Sequence, residues 1–234
     1  MIRLSELRLH ISDSVSLFIP PLDLHKGVVY LLLGDSGCGK TSLLKALAGF
    51  IPDDKIEGTI PAVRTSLLLQ NPMHQMITST VESELKFPLI QHGFPDDAIE
   101  QKSREIAAYF NLESLMKIKL YDLSFGELQS VMLAATLLIP ADLILLDEPT
   151  SHLDYPAVEK MYRWIRKHKQ NASCLIASQF PDEYRFADQI YHFQGHRLIH
   201  SIPADDYPRF AREKNSASGL AAEEIATYIK AHKA

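Results

Sequence analysis

The sequence predicts an α/β fold with a parallel sheet at its centre, and three observations carry that prediction. An apolar run, VVYLLL at residues 28–33, is followed at once by the glycine-rich turn GDSGCGK and the amphipathic segment TSLLKALAGF. Two more apolar runs, LILLD at 143–147 and SCLIA at 173–177, have the length of buried strands. Buried strand, glycine turn and helix in that order form the opening unit of a parallel α/β sheet.

The remaining elements follow from local patterning. Leu7, Leu9 and Ile11, then Val15, Leu17 and Ile19, alternate with polar residues and read as a pair of strands. Gly49 is placed to end the helix that follows the glycine turn. From Thr80 to Leu138 strand signals fade and apolar residues recur at helical spacing, as in DAIEQKSREIAAYFNLESLM, so a mostly helical insert is expected. A helix over 157–168, a hairpin over 189–200 and a terminal amphipathic helix over 221–231 complete the reading.

Composition bounds the function. The chain has 234 residues, enough for one substantial α/β domain or a domain with an insert. Hydrophobic residues make up 46% and charged residues 23%, which argues against disorder and against a fibrous rod. With 24 Lys+Arg against 29 Asp+Glu the net charge is −5, and no nucleic-acid partner is expected. Cys38 and Cys174 make no disulfide framework, which points to a reducing compartment. The opening residues MIRLSELRLH have no apolar stretch of the secretory kind. The longest apolar stretches fall well short of the roughly 18–20 residues that span a bilayer, so work at a membrane would need another chain to provide the span.

Residues 34–42, GDSGCGKTS, satisfy the pattern G-x-x-x-x-G-K-[ST]. Gly34, Gly37 and Gly39 let backbone N–H groups curl around phosphate oxygens, with Ser36, Cys38 and Ser42 in the same turn. Lys40 is placed to reach the β and γ phosphates and Thr41 to sit on Mg²⁺. Cys38 reads either as a thiol activated by Lys40 or, more simply, as filler at a variable loop position. Asp147 and Glu148 end the second buried strand, where ligands bind in open α/β sheets. Asp147 suits the Mg²⁺ shell and Glu148 is placed to polarise a water.

With these residues in view, the chain resembles a nucleotide-binding subunit of an ABC transporter over nearly its whole length. GDSGCGKTS resembles the family's Walker A. LILLDEPTSHLD resembles its Walker B, catalytic glutamate and D-loop, ending at Asp154. LLLQNP resembles the Q-loop with Gln70, and LSFGELQ sits where the family carries its signature. The resemblance implies a P-loop NTPase (RecA-like) core over 1–79 and 139–234 with ABC-type antiparallel strands, and a helical subdomain over 80–138. It implies ATP and Mg²⁺ as ligands, with Gln70 joining Thr41 and Asp147 at the metal. It also implies a head-to-tail dimer in which each ATP meets the other subunit's signature loop. A narrower similarity lies in QNPMHQMITSTVESELKFPL, where Gln75, Thr80, Val81, Glu82, Glu84 and Phe87 fall in register with energy-coupling-factor transporters, importers of vitamins and metal ions.

Three positions depart from the family. The signature reads Leu123-Ser124-Phe125-Gly126-Glu127, with Phe125 for a glycine and Glu127 for a glutamine. Ser124 and Gly126 keep a hydroxyl and a close-approach amide for the partner's γ-phosphate, whereas a carboxylate at Glu127 would repel it. Gln179 stands at the switch histidine; it can hydrogen-bond a phosphate or water but carries no charge. A lost charge-assisted contact of roughly 1.5–3 kcal/mol corresponds to about a tenfold to hundredfold slower rate. His10 or Ile11 stands where an adenine-stacking aromatic is usual. Gln179 acts on this chain's own site and the altered signature on the partner's, so a heterodimer with an intact second ATPase subunit is favoured over a homodimer.

The resulting expectation is an Mg-ATP-hydrolysing motor of an importer, working with a transmembrane permease or coupling subunit and placed in the cytoplasm, peripheral on the inner membrane face. Two alternatives stay open: a soluble ABC-type ATPase switch, and a weakly active structural half of an ATPase pair. His192, His196 and His200 are spaced for a metal-binding helix, but Gly195 interrupts them, and a hairpin whose turn is flanked by His192 and His196 is the expected reading.

Overall fold

A computed structural model describes residues 1–12 and 14–216 of the chain. The terminal helix expected over 221–231 lies outside the described residues. In chain order the strands are β1 Ile2–Leu4, β2 Leu7–Ser12, β3 Val15–Ile19, β4 Leu22–Leu24 and β5 Val29–Leu33. Helix α1 Lys40–Leu47 and strands β6 Ile56–Glu57 and β7 Thr65–Leu68 follow. Helices α2 Val81–Gln91, α3 Asp96–Tyr109 and α4 Phe125–Leu138 come next, then β8 Leu143–Asp147, α5 Tyr155–His168 and β9 Ser173–Ala177. The hairpin of β10 Gln189–Gln194 and β11 Arg197–Pro203, then α6 Tyr207–Ser216, end the described chain.

A nine-stranded sheet has the order β6-β2-β3-β11-β10-β5-β9-β8-β7. From β10 to β7 every pairing is parallel. The β2–β3, β2–β6 and β10–β11 pairs are antiparallel, and β1 and β4 form a separate two-stranded ribbon. The expected strands at 28–33, 143–147 and 173–177 are the neighbours β5, β8 and β9, each buried along its whole length. That is the pattern a parallel sheet covered on both faces demands.

Alternate residues of these strands enter two cores. Leu31, Ile144, Leu146 and Ile176 face α2, α4 and α5, whereas Tyr30, Leu32, Leu145 and Leu175 face α1 and the β2–β3 pair. Between β7 and β8 the only regular elements are three helices and short single turns. Lys86 of α2 ties α3 through Glu100 and its own helix through Glu82. Helix α1 ends as expected: Gly49, at φ 77, donates to Ala46 O at 3.0 Å and Phe50 N to Lys45 O at 2.8 Å. Among the described residues no helix is long and apolar enough to cross a membrane.

The hairpin replaces the three-histidine helix, as expected, with one difference. The two turn residues are Gly195 and His196, so His196 lies in the turn and His192 is paired in register with His200. No cluster of three metal-ligating side chains occurs among the described residues.

Candidate functional site

The parallel register sets four strand ends side by side. β5 runs into the phosphate loop, β7 into Gln70, β8 into Asp147 and Glu148, and β9 into Ser178 and Gln179. Residues far apart in sequence therefore meet at the carboxyl edge of one sheet, where open α/β folds bind ligands.

The loop between β5 and α1 is glycine-dependent. At Gly39, φ is +112, and a Cβ there would stand 2.6 Å from Leu17 Cδ1 of β3. Only glycine allows that backbone to lie on β3 and still open α1 toward an anion. Lys40 is buried and donates from Nζ to Gly34 O at 2.7 Å and Asp35 O at 3.1 Å. Its third neighbour, Cys38 Sγ at 3.9 Å, is a weak acceptor that a phosphate oxygen would displace. Ser36 and Gly37 are exposed on the rim, and Thr41 and Ser42 lie half-buried in the first turn of α1.

Cys38 itself is buried, and burial pushes its thiol above the ordinary value although Lys40 pulls the other way. Burial thus weighs against the activated-thiol reading. Burial pushes Cys174 further, to about 12.

Asp147 is 2% exposed and its Oδ2 has no hydrogen-bond partner among the described residues. Burial raises its carboxyl above the ordinary range; the Thr41 hydroxyl draws it down and the neighbouring Glu148 charge pushes it up. An orphaned, buried carboxylate oxygen beside a threonine hydroxyl and facing a lysine-lined loop fits a hard divalent cation such as Mg²⁺.

Glu148 is gripped from both sides. Gln70 Nε2 donates to Oε2 at 3.0 Å, and Gln179 Nε2 donates to Oε1. Its backbone sits at φ 50, a left-handed conformation that a glutamate adopts only when its surroundings impose it. Glu148 N donating to Ala177 O at 2.9 Å and Ser151 Oγ donating to Glu148 O at 3.0 Å impose it here.

The Gln70 loop is braced by residues of the narrower similarity. Gln75 accepts from Leu69 N at 2.6 Å and donates to Leu67 O at 2.7 Å. Buried Glu84 accepts from Thr78 N and Thr78 Oγ1, both at 2.8 Å, and Thr80 caps α2. In this chain those positions shape a loop.

The signature stretch differs from expectation. Glu127 turns back onto the start of its own helix. Its Oε2 accepts from Ser124 N at 2.8 Å and Ser124 Oγ at 2.6 Å, closing a capping box at the start of α4. Of the two groups expected to meet a phosphate, the Ser124 hydroxyl thus already donates to Glu127. The hydrogen bonds from Ser124 hold the Glu127 carboxyl below the ordinary range. Phe125 meets His152 edge to face at 4.4 Å, and a Cβ on Gly126 would stand 3.1 Å from His152 O. Asp154 caps α5 by accepting from Ala157 N at 2.9 Å.

His10 is held by both of its ring nitrogens. Its Nδ1 shares a hydrogen bond with Ser16 Oγ at 3.1 Å and its Nε2 with Glu57 Oε1 at 2.8 Å, which binds the ring to the neighbouring strands. Sequence reasoning also missed Glu183, a 6%-exposed carboxylate that accepts from Thr150 Oγ1 and from Tyr162 Oη at 2.9 Å.

Comparison with known proteins fits this geometry. Residues 20–151, more than half of the chain, match the model of the ABC transporter family. A putative ABC transporter ATP-binding protein of Treponema denticola is 29% identical over 195 residues, 75% of this chain and 40% of that protein. An energy-coupling factor transporter ATP-binding protein of Geobacillus kaustophilus is 29% identical over 188 residues, 71% of this chain and 64% of that protein. The chain spans 40% and 41% of the lengths of two Treponema denticola relatives. In fold it is similar to cbiO1 of Clostridium perfringens, part of the ABC transporter complex cbiONQ, with a TM-score of 0.74 at 20% identity, covering 98% of both chains. It is also similar to a dimeric bacterial ABC transporter cassette, with a TM-score of 0.72 at 18% identity, covering 87% of this chain and 99% of that one.

Proposed function

Because the chain belongs to the ABC transporter family, we propose that it is an Mg-ATP-hydrolysing subunit that powers a membrane importer of the energy-coupling-factor kind. The observation that carries the ATPase reading is the convergence of the phosphate loop, orphaned Asp147 Oδ2 and doubly held Glu148 at adjacent parallel strand ends. The importer reading is supported by the similarity to the Geobacillus kaustophilus energy-coupling factor protein and by the fold likeness to a cbiONQ component.

In this reading residues 1–79 and 139–234 form the nucleotide-binding core and 80–138 the helical subdomain. The backbone of Gly34 to Gly39 and the ammonium of Lys40 bind and orient the polyphosphate. Thr41, Asp147 and Gln70 would hold Mg²⁺, which would neutralise charge on the phosphate oxygens. Glu148 takes a proton from the attacking water, and Gln70 and Gln179 fix which carboxylate oxygen faces it. The closed capping box at Glu127 favours a division of labour in which this chain pairs with a second, different ATPase subunit. Work at a membrane would come through a transmembrane coupling subunit.

The test joins activity to assembly. The full chain, purified in mild detergent from its native membranes, is expected to bring down a transmembrane protein and a second ATPase subunit, and to show Mg²⁺-dependent hydrolysis that Glu148→Gln abolishes. Recovery in the cytosolic fraction with soluble partners only would replace the importer reading with a soluble switch.

A further inference from the structure

Glu183 lies behind the site and is used by none of the steps above. It belongs to the short turn Pro181–Phe186 that follows Gln179, yet its side chain is turned inward. Thr150 Oγ1 donates to its Oε1 and Tyr162 Oη donates to its Oε2 at 2.9 Å. The Ser178 hydroxyl makes a further contact with the same carboxylate. Tyr162 is fully buried on α5 and stacked on Phe186 at 4.8 Å.

The partners of Glu183 come from both sides of the site. Thr150 stands two residues after Glu148, on the segment leaving β8. Ser178 precedes Gln179, on the segment leaving β9. The two segments are therefore joined twice, at the surface through Gln179 and Glu148 and in the interior through Glu183. The inner joint closes a ring through Glu148, Pro149, Thr150, Glu183, Ser178 and Gln179.

We propose that Glu183 is a positioning residue that sets the separation of the two segments, so that the Gln179 amide stays within reach of the Glu148 carboxylate. The inference rests on the ATPase reading above only for its effect on rate; the joint itself does not. A carboxylate suits the task because it accepts from several hydroxyls at once. Burial pushes its carboxyl above the ordinary range and the Thr150, Tyr162 and Ser178 hydroxyls pull it back. A buried charge bonded only to neutral groups is a costly choice for mere packing. It does give a joint that holds only while the hydroxyls stay in place.

The test uses the full chain, in whatever assembly it purifies, with Glu183→Gln as the conservative variant and Thr150→Val as a second variant on the other side of the joint. Glu183→Gln should lower kcat by about tenfold with KM for ATP changed less than about twofold, because the hydrogen bonds of Glu183 go to Thr150, Tyr162 and Ser178, outside the phosphate loop. In a Gln179→Ala background the same substitution should cost less than about twofold, since the contact it serves is already gone. Thr150→Ser should restore what Thr150→Val loses. Hydrogen exchange gives a second readout: in Glu183→Gln and Thr150→Val the segments 148–152 and 178–186 should lose protection together, while 34–42 keeps it. An unchanged kcat, or an equal fall with and without Gln179, would overturn the inference. So would loss of protection confined to one segment, or spread over the whole chain. If the wild type shows no hydrolysis the ATPase reading fails, and the exchange pattern alone then decides for or against the joint.

Discussion

Gln179 Nε2 donates to Glu148 Oε1, and the two residues follow the ends of neighbouring parallel strands, β9 and β8. A glutamine at this position still finds the carboxylate that a general base would use, but it adds no charge. Removing it in Gln179→Ala should lower kcat by about tenfold and leave nucleotide affinity nearly unchanged. The contact is charge-assisted, it is exposed, and Gln70 still holds the other oxygen. Gln179→His should recover more activity at pH 6 than at pH 8. A histidine beside a carboxylate has a raised pKa, so its charge is present at low pH and lost as pH rises through that value. Steady-state kinetics of the wild type and the two variants at both pH values checks this.

Glu148→Gln removes the carboxylate proposed to accept a proton from the attacking water. Both oxygens of Glu148 are now hydrogen-bond acceptors for amides. A glutamine offers one oxygen and a competing NH₂. Turnover should fall by roughly a hundredfold or more, with bound ATP retained through gel filtration. Rapid turnover by this variant would remove Glu148 from the mechanism.

The capping box makes a titration prediction. Glu127 takes two hydrogen bonds from Ser124, so its carboxyl is held below the ordinary glutamate value of about 4.3. An acid whose folded pKa is depressed stabilises the fold above its unfolded pKa and loses that contribution as pH falls through the folded value. The start of α4 should therefore loosen only in acid below the ordinary carboxylate range. Ser124→Ala should raise the Glu127 pKa and cost about 0.5–2 kcal/mol of stability. Carbon-detected titration of Glu127 and denaturant melts measure both.

How far these features could be read from sequence depended on the length of each signal. Strands β5, β8 and β9 are whole apolar runs beside a glycine loop, an acidic pair and a glutamine, and each was legible. Strand β6 has two residues, and β1, β4 and β7 have three or four, too short for periodicity to register. The phosphate loop and acidic pair announce themselves because their chemistry is local. The grip on Glu148 does not, since Gln70 and Gln179 lie 78 and 31 residues away. Glu127 pointed to repulsion of a phosphate because its residue type was visible and its partner, three residues back, was weighed as a phosphate ligand instead of a cap. Glu183 was invisible because PDEYRF has the composition of a surface turn.

Cys38 offers a probe of the loop. Its thiol is buried and shifted upward by that burial, so alkylation at pH 7.5 should be slow and should quicken as pH rises. Mg-ATP should slow it further, because a phosphate against Lys40 would close the loop over the sulfur, which lies 3.9 Å from the ammonium. Mass-spectrometric labelling with and without nucleotide distinguishes protection from indifference, and indifference would mean that the polyphosphate lies elsewhere.

Asp147 sets function against stability. Its carboxyl is raised by burial and its Oδ2 is unpartnered, so without a metal the charged form works against the fold at neutral pH. The sign follows from linkage. An acid with a raised folded pKa binds protons more tightly when folded, so the metal-free protein loses stability as pH rises through the unfolded and then the folded value. Asp147→Asn removes that charge and keeps the shape. The metal-free variant should melt higher than the wild type at pH 7, and the gap should narrow toward pH 4. With Mg²⁺ and ATP the order should reverse, because the wild type gains ligand stabilisation that the variant largely forgoes. Hydrolysis by the variant should fall by roughly a hundredfold or more. Thermal melts with EDTA and with Mg-ATP at both pH values test the pair of claims together. A variant less stable than the wild type in EDTA would show that Asp147 holds the fold through contacts other than the metal.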